Sequence, residues 1–296
     1  MRAGASPCAR WGYVPRVSPV RRCLSGLAAV TQNAAFNRAH DMSTNLILRA
    51  RGLTKQFAGF AAVQEMDLDI AEGSIHALVG PNGAGKTTCF NLLTKFLEPS
   101  SGSIVFDGRD ITRMQPAQVA RLGLVRSFQI SATFGHMSLL DNVRVGMQRA
   151  AGMAWQFWAS PARLGRLDER ARQYLEQVGL ADRADQLAVN LPYGHKRALE
   201  LATTLALEPR LMLLDEPTQG LGHEDVERVT ELIARVAKGR TVLMVEHNMS
   251  VISRICDRVT VMQRGRKLAE GSYAEVSANP EVISAYMGEA VEDLPA

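Results

Sequence analysis

Between residues 45 and 70, apolar and polar positions alternate in three stretches, LILRA, FAAVQ and MDLDI. Period-two alternation predicts β-strands with one buried face. The following run, SIHALV (residues 74–79), is mostly apolar and ends in a glycine-rich turn, which predicts a further strand. Helical periodicity then predicts a helix over 86–97, a strand at SIVFDG (103–108) and a helix starting near Pro116, where proline suits the first turn. A short strand is predicted over 123–128. From 138 to 189 the pattern is helical, clearest in LDERARQYLEQV (167–178), which places acids and bases at helical spacing. A helix over 196–207 leads into a strand at 211–214. Helix 224–236, strand 241–245, helix 249–255, strand 258–262 and a C-terminal helix within 280–288 complete the chain. Strands alternating with helices imply a mostly parallel sheet covered on both faces. The block at 138–189 breaks that alternation and reads as a helical insertion.

At 296 residues, with 46% hydrophobic and 22% charged positions, the chain has ordinary globular usage, which excludes a disordered or collagen-like protein. Nowhere do 18 apolar residues run together, so the sequence carries no membrane-spanning helix. The net charge of +4 is unevenly placed. Residues 1–41 hold six arginines, no lysine and a single acid, Asp41, so the remaining 255 residues are close to neutral. A general polyanion-binding surface does not follow, and no nucleic-acid partner is expected. Cys8, Cys23, Cys89 and Cys256 share no metal-ligand or CxxC spacing, which fits a reduced compartment.

The first 41 residues have three readings. Their Arg-rich, acid-poor composition suits a transit peptide. A secretory signal is disfavoured because the apolar stretch 24–30 is broken by Ser25 and Gly26. The third reading is an upstream start codon, with translation beginning at Met42, where the chain passes directly into its first strand. That last reading is preferred, giving a leader over 1–41 and a folded domain over 42–296.

Gly80-Pro81-Asn82-Gly83-Ala84-Gly85-Lys86-Thr87 fits the pattern G-x-x-x-x-G-K-[ST] between a hydrophobic strand and a helix. Glycines let the backbone curl so that its N–H groups point inward at phosphate oxygens, and the helix adds its positive end. Lys86 is placed to reach the β- and γ-phosphates and Thr87 to ligate Mg²⁺, with Thr88 completing the nucleotide-binding segment. A second candidate lies at Leu211-Met212-Leu213-Leu214-Asp215-Glu216, a buried strand ending in two acids. Ligands sit at such carboxyl ends in open α/β sheets. Asp215 suits a Mg²⁺ ligand acting through water, and Glu216 suits a base for an attacking water. Two adjacent buried carboxylates call for a cation, and Mg²⁺ would supply it.

With these motifs in order, the chain resembles the ATPases of ABC transporters over nearly all of 46–290. The resemblance implies an α/β fold: a P-loop NTPase (RecA-like) core, an N-terminal antiparallel β subdomain and a helical subdomain inserted at about 130–195. It also implies roles for further residues. Gln129 in VRSFQ matches the glutamine that touches Mg²⁺ and the attacking water, and His247 after TVLMVE matches the histidine at the γ-phosphate. Phe57 matches the aromatic that stacks on adenine, with Phe60 as an alternative ring. Residues 219–222 occupy the position of the loop that faces the partner subunit. Leu191-Pro192-Tyr193-Gly194-His195 occupies the signature position, which serves the nucleotide of a partner subunit. It departs from the usual L-S-G-G-Q at Pro192, Tyr193 and His195, which puts in doubt how well this chain completes the opposite site.

Within the family, NLLTKFLEPSSGSIVFDGRDIT, ARLGLVRSFQ and NPEVISAYMGEA resemble the L-x-Y-G-signature ATPase of high-affinity branched-chain amino acid uptake systems. That resemblance implies ATP and Mg²⁺ as cofactors, and a second ATPase subunit (a heterodimer, or else a homodimer). It further implies two membrane permeases, a solute-binding protein acting indirectly, and a peripheral position on the cytoplasmic face of the membrane. Residues 130–145 are the expected permease-docking segment. The remaining alternatives are uptake of another small polar solute, such as urea or short amides, and a soluble non-transport ATPase. Trp155, Phe157 and Trp158 read either as an interfacial contact or as packing within the insert.

Overall fold

The computed structural model describes residues 45–127, 133–150 and 161–292. The leader with Met42, Gln129 and the Trp155–Trp158 cluster lie outside the described residues, as do positions 130–132 of the docking segment. No helix among the described residues is long and apolar enough to cross a membrane.

The chain opens with an antiparallel hairpin, β1 (Leu46–Phe57) and β2 (Phe60–Ala71). The three alternating stretches are therefore two twelve-residue strands: Ala58 and Gly59 turn the chain at positive φ, and β2 runs on from FAAVQ into MDLDI through an irregularity at Glu65, which has φ 48. Next come β3 (Ile75–Val79), α1 (Lys86–Leu93), β4 (Ser101–Phe106) and β5 (Arg109–Asp110). The first sheet runs β2-β1-β4-β5. After α2 (Pro116–Arg121) and β6 (Leu124–Arg126) lie three helices, α3 (Leu139–Ala150), α4 (Pro161–Gln177) and α5 (Tyr193–Leu205). The chain then alternates through β7 (Leu211–Asp215), α6 (His223–Val236), β8 (Thr241–Val245), α7 (Met249–Ile255) and β9 (Arg258–Gln263). It finishes with β10 (Arg266–Gly271), α8 (Tyr273–Ser277) and α9 (Pro280–Glu292).

The second sheet has the order β10-β9-β3-β8-β7-β6 and is parallel except for β10 at its edge. Its central strands are buried on both faces, and alternate residues feed two cores. Ala77, Val79, Met212 and Leu214 face a core shared with α3–α7. Leu78, Leu211 and Leu213 face a second core with Phe90 of α1 and with Leu53 and Phe106 of the first sheet.

Several boundaries differ from the sequence expectation for local reasons. The helix from Lys86 ends at Leu93, where the Thr94 hydroxyl donates to Phe90 O and Lys95 turns the chain at φ 65. The strand expected over 123–128 is confined to β6. Helix α5 starts at Tyr193, three residues early, because Pro192 presets its own φ at the cap. It then runs unbroken to Leu205. Strand β10 and helix α8 were not anticipated: RKLAEG is largely polar, since an edge strand has one neighbour and a wet face.

Candidate functional site

The carboxyl ends of β6, β7, β8 and β3 lie side by side in the sheet, and the loops that leave them carry most of the candidate residues. Val79 at the end of β3 runs into the glycine loop. Gly80 has φ 149, and a Cβ there would sit 2.2 Å from Met262 O. Gly85 has φ 96, and its Cβ would sit 2.4 Å from Ala62 O. These two positions admit only glycine, because the loop is seated against the backbone of β2 and β9. Gly83, at φ 73, faces open space. Pro81 and Ala84 are buried while Asn82, Gly83 and Thr87 are exposed and Thr88 is half-buried. The Lys86 ammonium folds over the loop and donates to Gly80 O at 2.6 Å and Pro81 O at 2.8 Å. No side chain caps α1, so its first N–H groups remain for a ligand. The loop is a cradle for an anion with one ammonium across it. Cys89, directly behind, is fully buried, and burial pushes its thiol up to about 12, which leaves it a packing residue.

Asp215 and Val245 are paired across β7 and β8, and Glu216 N donates to Val245 O at 2.9 Å. Glu216 and His247 therefore leave adjacent strand ends. Asp215 is 3% exposed and Glu216 half-buried. Beside Asp215 stands a cation that the sequence reading did not include. Arg126, at the end of β6, donates through Nη2 to Asp215 Oδ2 at 2.5 Å and through Nη1 to Asn91 Oδ1 at 2.5 Å. Of the two acids expected to be buried in tandem, Asp215 is buried and paired within the chain, and Glu216 is only partly withdrawn from water.

His247 is exposed, and its Nδ1 lies 3.7 Å from Glu246 Oε1. Glu246 is buried and accepts hydrogen bonds from Thr218 Oγ1 at 2.7 Å, His247 N at 2.9 Å and Asn248 N at 3.1 Å. The carboxylate thus ties the loop after β8 to the loop after β7. Arg126, Asn91, Thr218 and Glu246 were all missed from sequence. The signal lay in the motifs already read: VRSFQ and TVLMVE each carry a charged residue at the end of an apolar strand. Among the described residues no group of three or more His, Cys, Asp or Glu is placed to hold a metal. A magnesium ion would therefore rely on the Thr87 hydroxyl, Asp215, phosphate oxygens and water, the ligand set it commonly takes.

The aromatics Phe57 and Phe60 face each other across the β1–β2 turn, 43% and 68% exposed. Lys55 Nζ stands 5.2 Å from the centroid of the Phe57 ring. The signature residues form a second locus. Leu191 is buried, Pro192 caps α5, and Tyr193, Gly194 and His195 form a first turn that no side chain caps. A Cβ on Gly194 would lie 2.8 Å from Asp225 Oδ1, so α5 and α6 meet closely there. Arg197 donates to the Tyr193 hydroxyl at 3.2 Å and pairs with Glu200 at 2.8 Å. The Tyr193 hydroxyl also lies 3.8 Å from where a Gly220 Cβ would be, which links the signature turn to residues 219–222.

Residues 63–219 match the sequence profile described as ABC transporter. The chain belongs to the ABC transporter ATP-binding family. The matched stretch contains the glycine loop, the signature segment, Asp215 and Glu216. A second profile, described as branched-chain amino acid ATP-binding cassette transporter, matches residues 266–292, which hold β10, α8 and α9. The high-affinity branched-chain amino acid transport ATP-binding protein LivG of Salmonella typhimurium is 38% identical over 251 residues, covering 82% of this chain and 98% of the relative. BraF of Pseudomonas aeruginosa, of the same description, is also 38% identical over 251 residues with the same coverage. Among solved structures, the ADP conformation of an ATP-binding cassette of an ABC transporter superposes with a TM-score of 0.72. It is 27% identical and covers 83% of this chain and all of that one. As an ABC cassette the chain is an ATPase, and the family's ligand is ATP or ADP.

Proposed function

We propose that the chain is the ATP-hydrolysing subunit of an importer for branched-chain amino acids, with Mg²⁺ as the metal of its nucleotide site. The observation that carries the cargo class is the match of residues 266–292 to the branched-chain amino acid cassette profile, since the cassette core alone is common to the whole family. In this reading the loop from Gly80 to Thr88 holds the phosphates and Lys86 neutralises them. Thr87 and Asp215, with Gln129, hold the metal through oxygen atoms and water. Glu216 takes the proton of the attacking water, and His247 stands at the terminal phosphate. Phe57 stacks on the base. Its exposed ring at a hairpin tip, with a lysine beside it, supports that role.

The uncapped first turn of α5 serves a nucleotide held by a second ATPase subunit, preferably a different chain, since Pro192, Tyr193 and His195 leave backbone donors and few side-chain ones. Two permeases and, indirectly, a solute-binding protein complete the assembly, which places this subunit peripherally on the cytoplasmic face of the membrane.

Affinity purification of the tagged chain from detergent-solubilised membranes, with mass spectrometry of what accompanies it, tests the reading. Recovery of two multi-spanning permeases and a second ATPase is expected; ribosomal or DNA-associated partners alone would refute it. In the purified complex, Glu216→Gln should lower turnover by about 10²-fold or more while nucleotide binding persists, as removal of a general base does. Equal losses from Glu216→Gln and from the same change in a partner ATPase would refute the unequal sites that the altered signature implies.

A further inference from the structure

Arg126 has no role in the function proposed above, yet it is deeply engaged at the strand edge. Its side chain is 13% exposed, against 2% for that of Asp215. The guanidinium forks: Nη2 donates to Asp215 Oδ2 and Nη1 to Asn91 Oδ1, both at 2.5 Å. The Arg126 Cζ lies 5.9 Å from the Phe90 ring centroid and 6.0 Å from that of Phe96. Its Nε is buried without a hydrogen-bond partner among the described residues, so both bonds of the fork come from the terminal nitrogens. Asn91 belongs to α1, the helix that begins at Lys86. One planar group thus connects the helix behind the phosphate loop to the carboxylate at the end of β7.

An arginine held so tightly to a carboxylate does one of two things. It only neutralises a buried charge, or it also fixes which way the carboxylate faces. The fork favours the second. Asn91 carries no charge to compensate, so its bond to Nη1 adds nothing to neutralisation but does immobilise the guanidinium. With Oδ2 occupied by Arg126, Asp215 Oδ1 is the oxygen left for another ligand, and Asp215 is not free to rotate.

We propose that Arg126, anchored by Asn91, is a positioning residue that presets Asp215 for the divalent metal of the nucleotide site. The inference rests on reading residues 80–88 and Asp215 as that site. Arg126 touches neither nucleotide nor metal and acts through the carboxylate.

The test separates metal-dependent from metal-independent binding of ADP by the full chain. Affinity is measured with a fluorescent ADP analogue in excess Mg²⁺ and in EDTA, and the ratio of the two dissociation constants is compared between variants. Arg126→Lys keeps the charge and loses the fork. It should leave the EDTA affinity within about twofold and cut the Mg²⁺ enhancement by about tenfold, the usual scale for losing an outer-shell partner of a metal ligand. Asn91→Leu leaves Asp215 and Arg126 in place and removes only the anchor. It should reduce the same ratio by a smaller factor, and the double variant should be no worse than Arg126→Lys alone.

An unchanged ratio in both variants overturns the proposal, as does a parallel fall in EDTA and Mg²⁺ affinities, which would make the arginine a structural support. If Arg126→Lys does not fold, the ratio in Asn91→Leu decides alone. A wild-type chain that binds ADP equally with and without Mg²⁺ would overturn the site reading itself, and the inference with it.

Discussion

Lowering the pH from 7.5 to 4 should cost this protein about 3 kcal/mol of stability through one histidine. His76 lies on β3 between β8 and β9, paired across the sheet with Leu243 and Arg258. It is fully buried; its Nε2 is 2.8 Å from Thr260 Oγ1, and its Nδ1 has no hydrogen-bond partner among the described residues. Burial pulls the imidazole down from 6.5 to about 4; Glu270 favours the charged form, and Arg258 and Lys267 oppose it. Above pH 6.5 the ring is neutral in both states, and the native fold bears no cost. As pH falls below 6.5 the unfolded chain takes a proton that the folded chain refuses, so stability drops until about pH 4 and is flat below. The full difference, from 6.5 to about 4 at about 1.4 kcal/mol per pH unit, is about 3.5 kcal/mol, of which about 3 is lost by pH 4, where the folded ring is half protonated. Set against a typical total of about 5–15 kcal/mol, this is a large fraction.

The assay is urea unfolding of wild type and His76→Gln at intervals from pH 7.5 to 3.5. The neutral amide keeps a hydrogen-bonding group toward Thr260 and removes the titration. At pH 7.5 the variant should be the less stable by about 1 kcal/mol, the cost of imperfect fit and one altered hydrogen bond. Relative to wild type it should then recover about 3 kcal/mol by pH 4, because carboxylates that titrate in both proteins cancel in the difference. Parallel stability curves over that interval would refute the reasoning, since the histidine would then be taking up its proton without opposition from the fold.

Two further substitutions probe backbone rather than charge. Gly85→Ala places a Cβ 2.4 Å from a carbonyl oxygen at φ 96 and should cost at least about 2 kcal/mol and abolish ADP binding, whereas Gly83→Ala, facing open space, should cost only the left-handed penalty of about 1 kcal/mol. Thermal unfolding with and without ADP distinguishes them; equal losses would mean the contact with Ala62 O is not the constraint. Lys95 combines φ 65 with a buried ammonium that has no hydrogen-bond partner among the described residues, and burial lowers its pKa. Lys95→Gly should stabilise the chain by about 1–2 kcal/mol, raising the midpoint by a few degrees; an unchanged or lower midpoint would show that the lysine is not strained.

The sheet-plus-helices architecture was legible because the central strands are short, apolar on both faces and separated by helices with one apolar stripe. SIHALV and LMLLD leave no alternative to buried strands. The phosphate loop was equally legible: where Met262 O and Ala62 O stand within 2.5 Å of a would-be Cβ, sequence has no freedom, and the glycines record it. Less visible were features set by distant packing. RKLAEG forms an edge strand whose polar composition hides it, and the N-terminus of α5 is fixed by Pro192 rather than by hydrophobic period. The electrostatics of the site were the least legible part. Sequence shows that Asp215 and Glu216 are adjacent, but not that β6 lies beside β7, which is what brings Arg126 to one of them.

That pairing sorts the acids of the strand edge by what each is free to do. Asp215 is held by a guanidinium, and Glu246 by a hydroxyl and two backbone N–H groups. A carboxylate held in this way is fixed in direction and orients the groups around it. Glu216 differs on each count. Its side chain has no hydrogen bond or ion pair among the described residues, it is half-buried, and its backbone sits at φ 46. A left-handed glutamate costs about 1–2 kcal/mol and persists only where the surroundings impose it. Here the bond from Glu216 N to Val245 O and the turn closed by Gln219 N on Glu216 O impose it. Asp215 and Glu246 are committed to their partners, while Glu216 is left uncommitted at the end of the strand next to the one that leads to His247, in a strained backbone conformation. That contrast is what supports the proposal of Glu216, rather than Asp215, as the base.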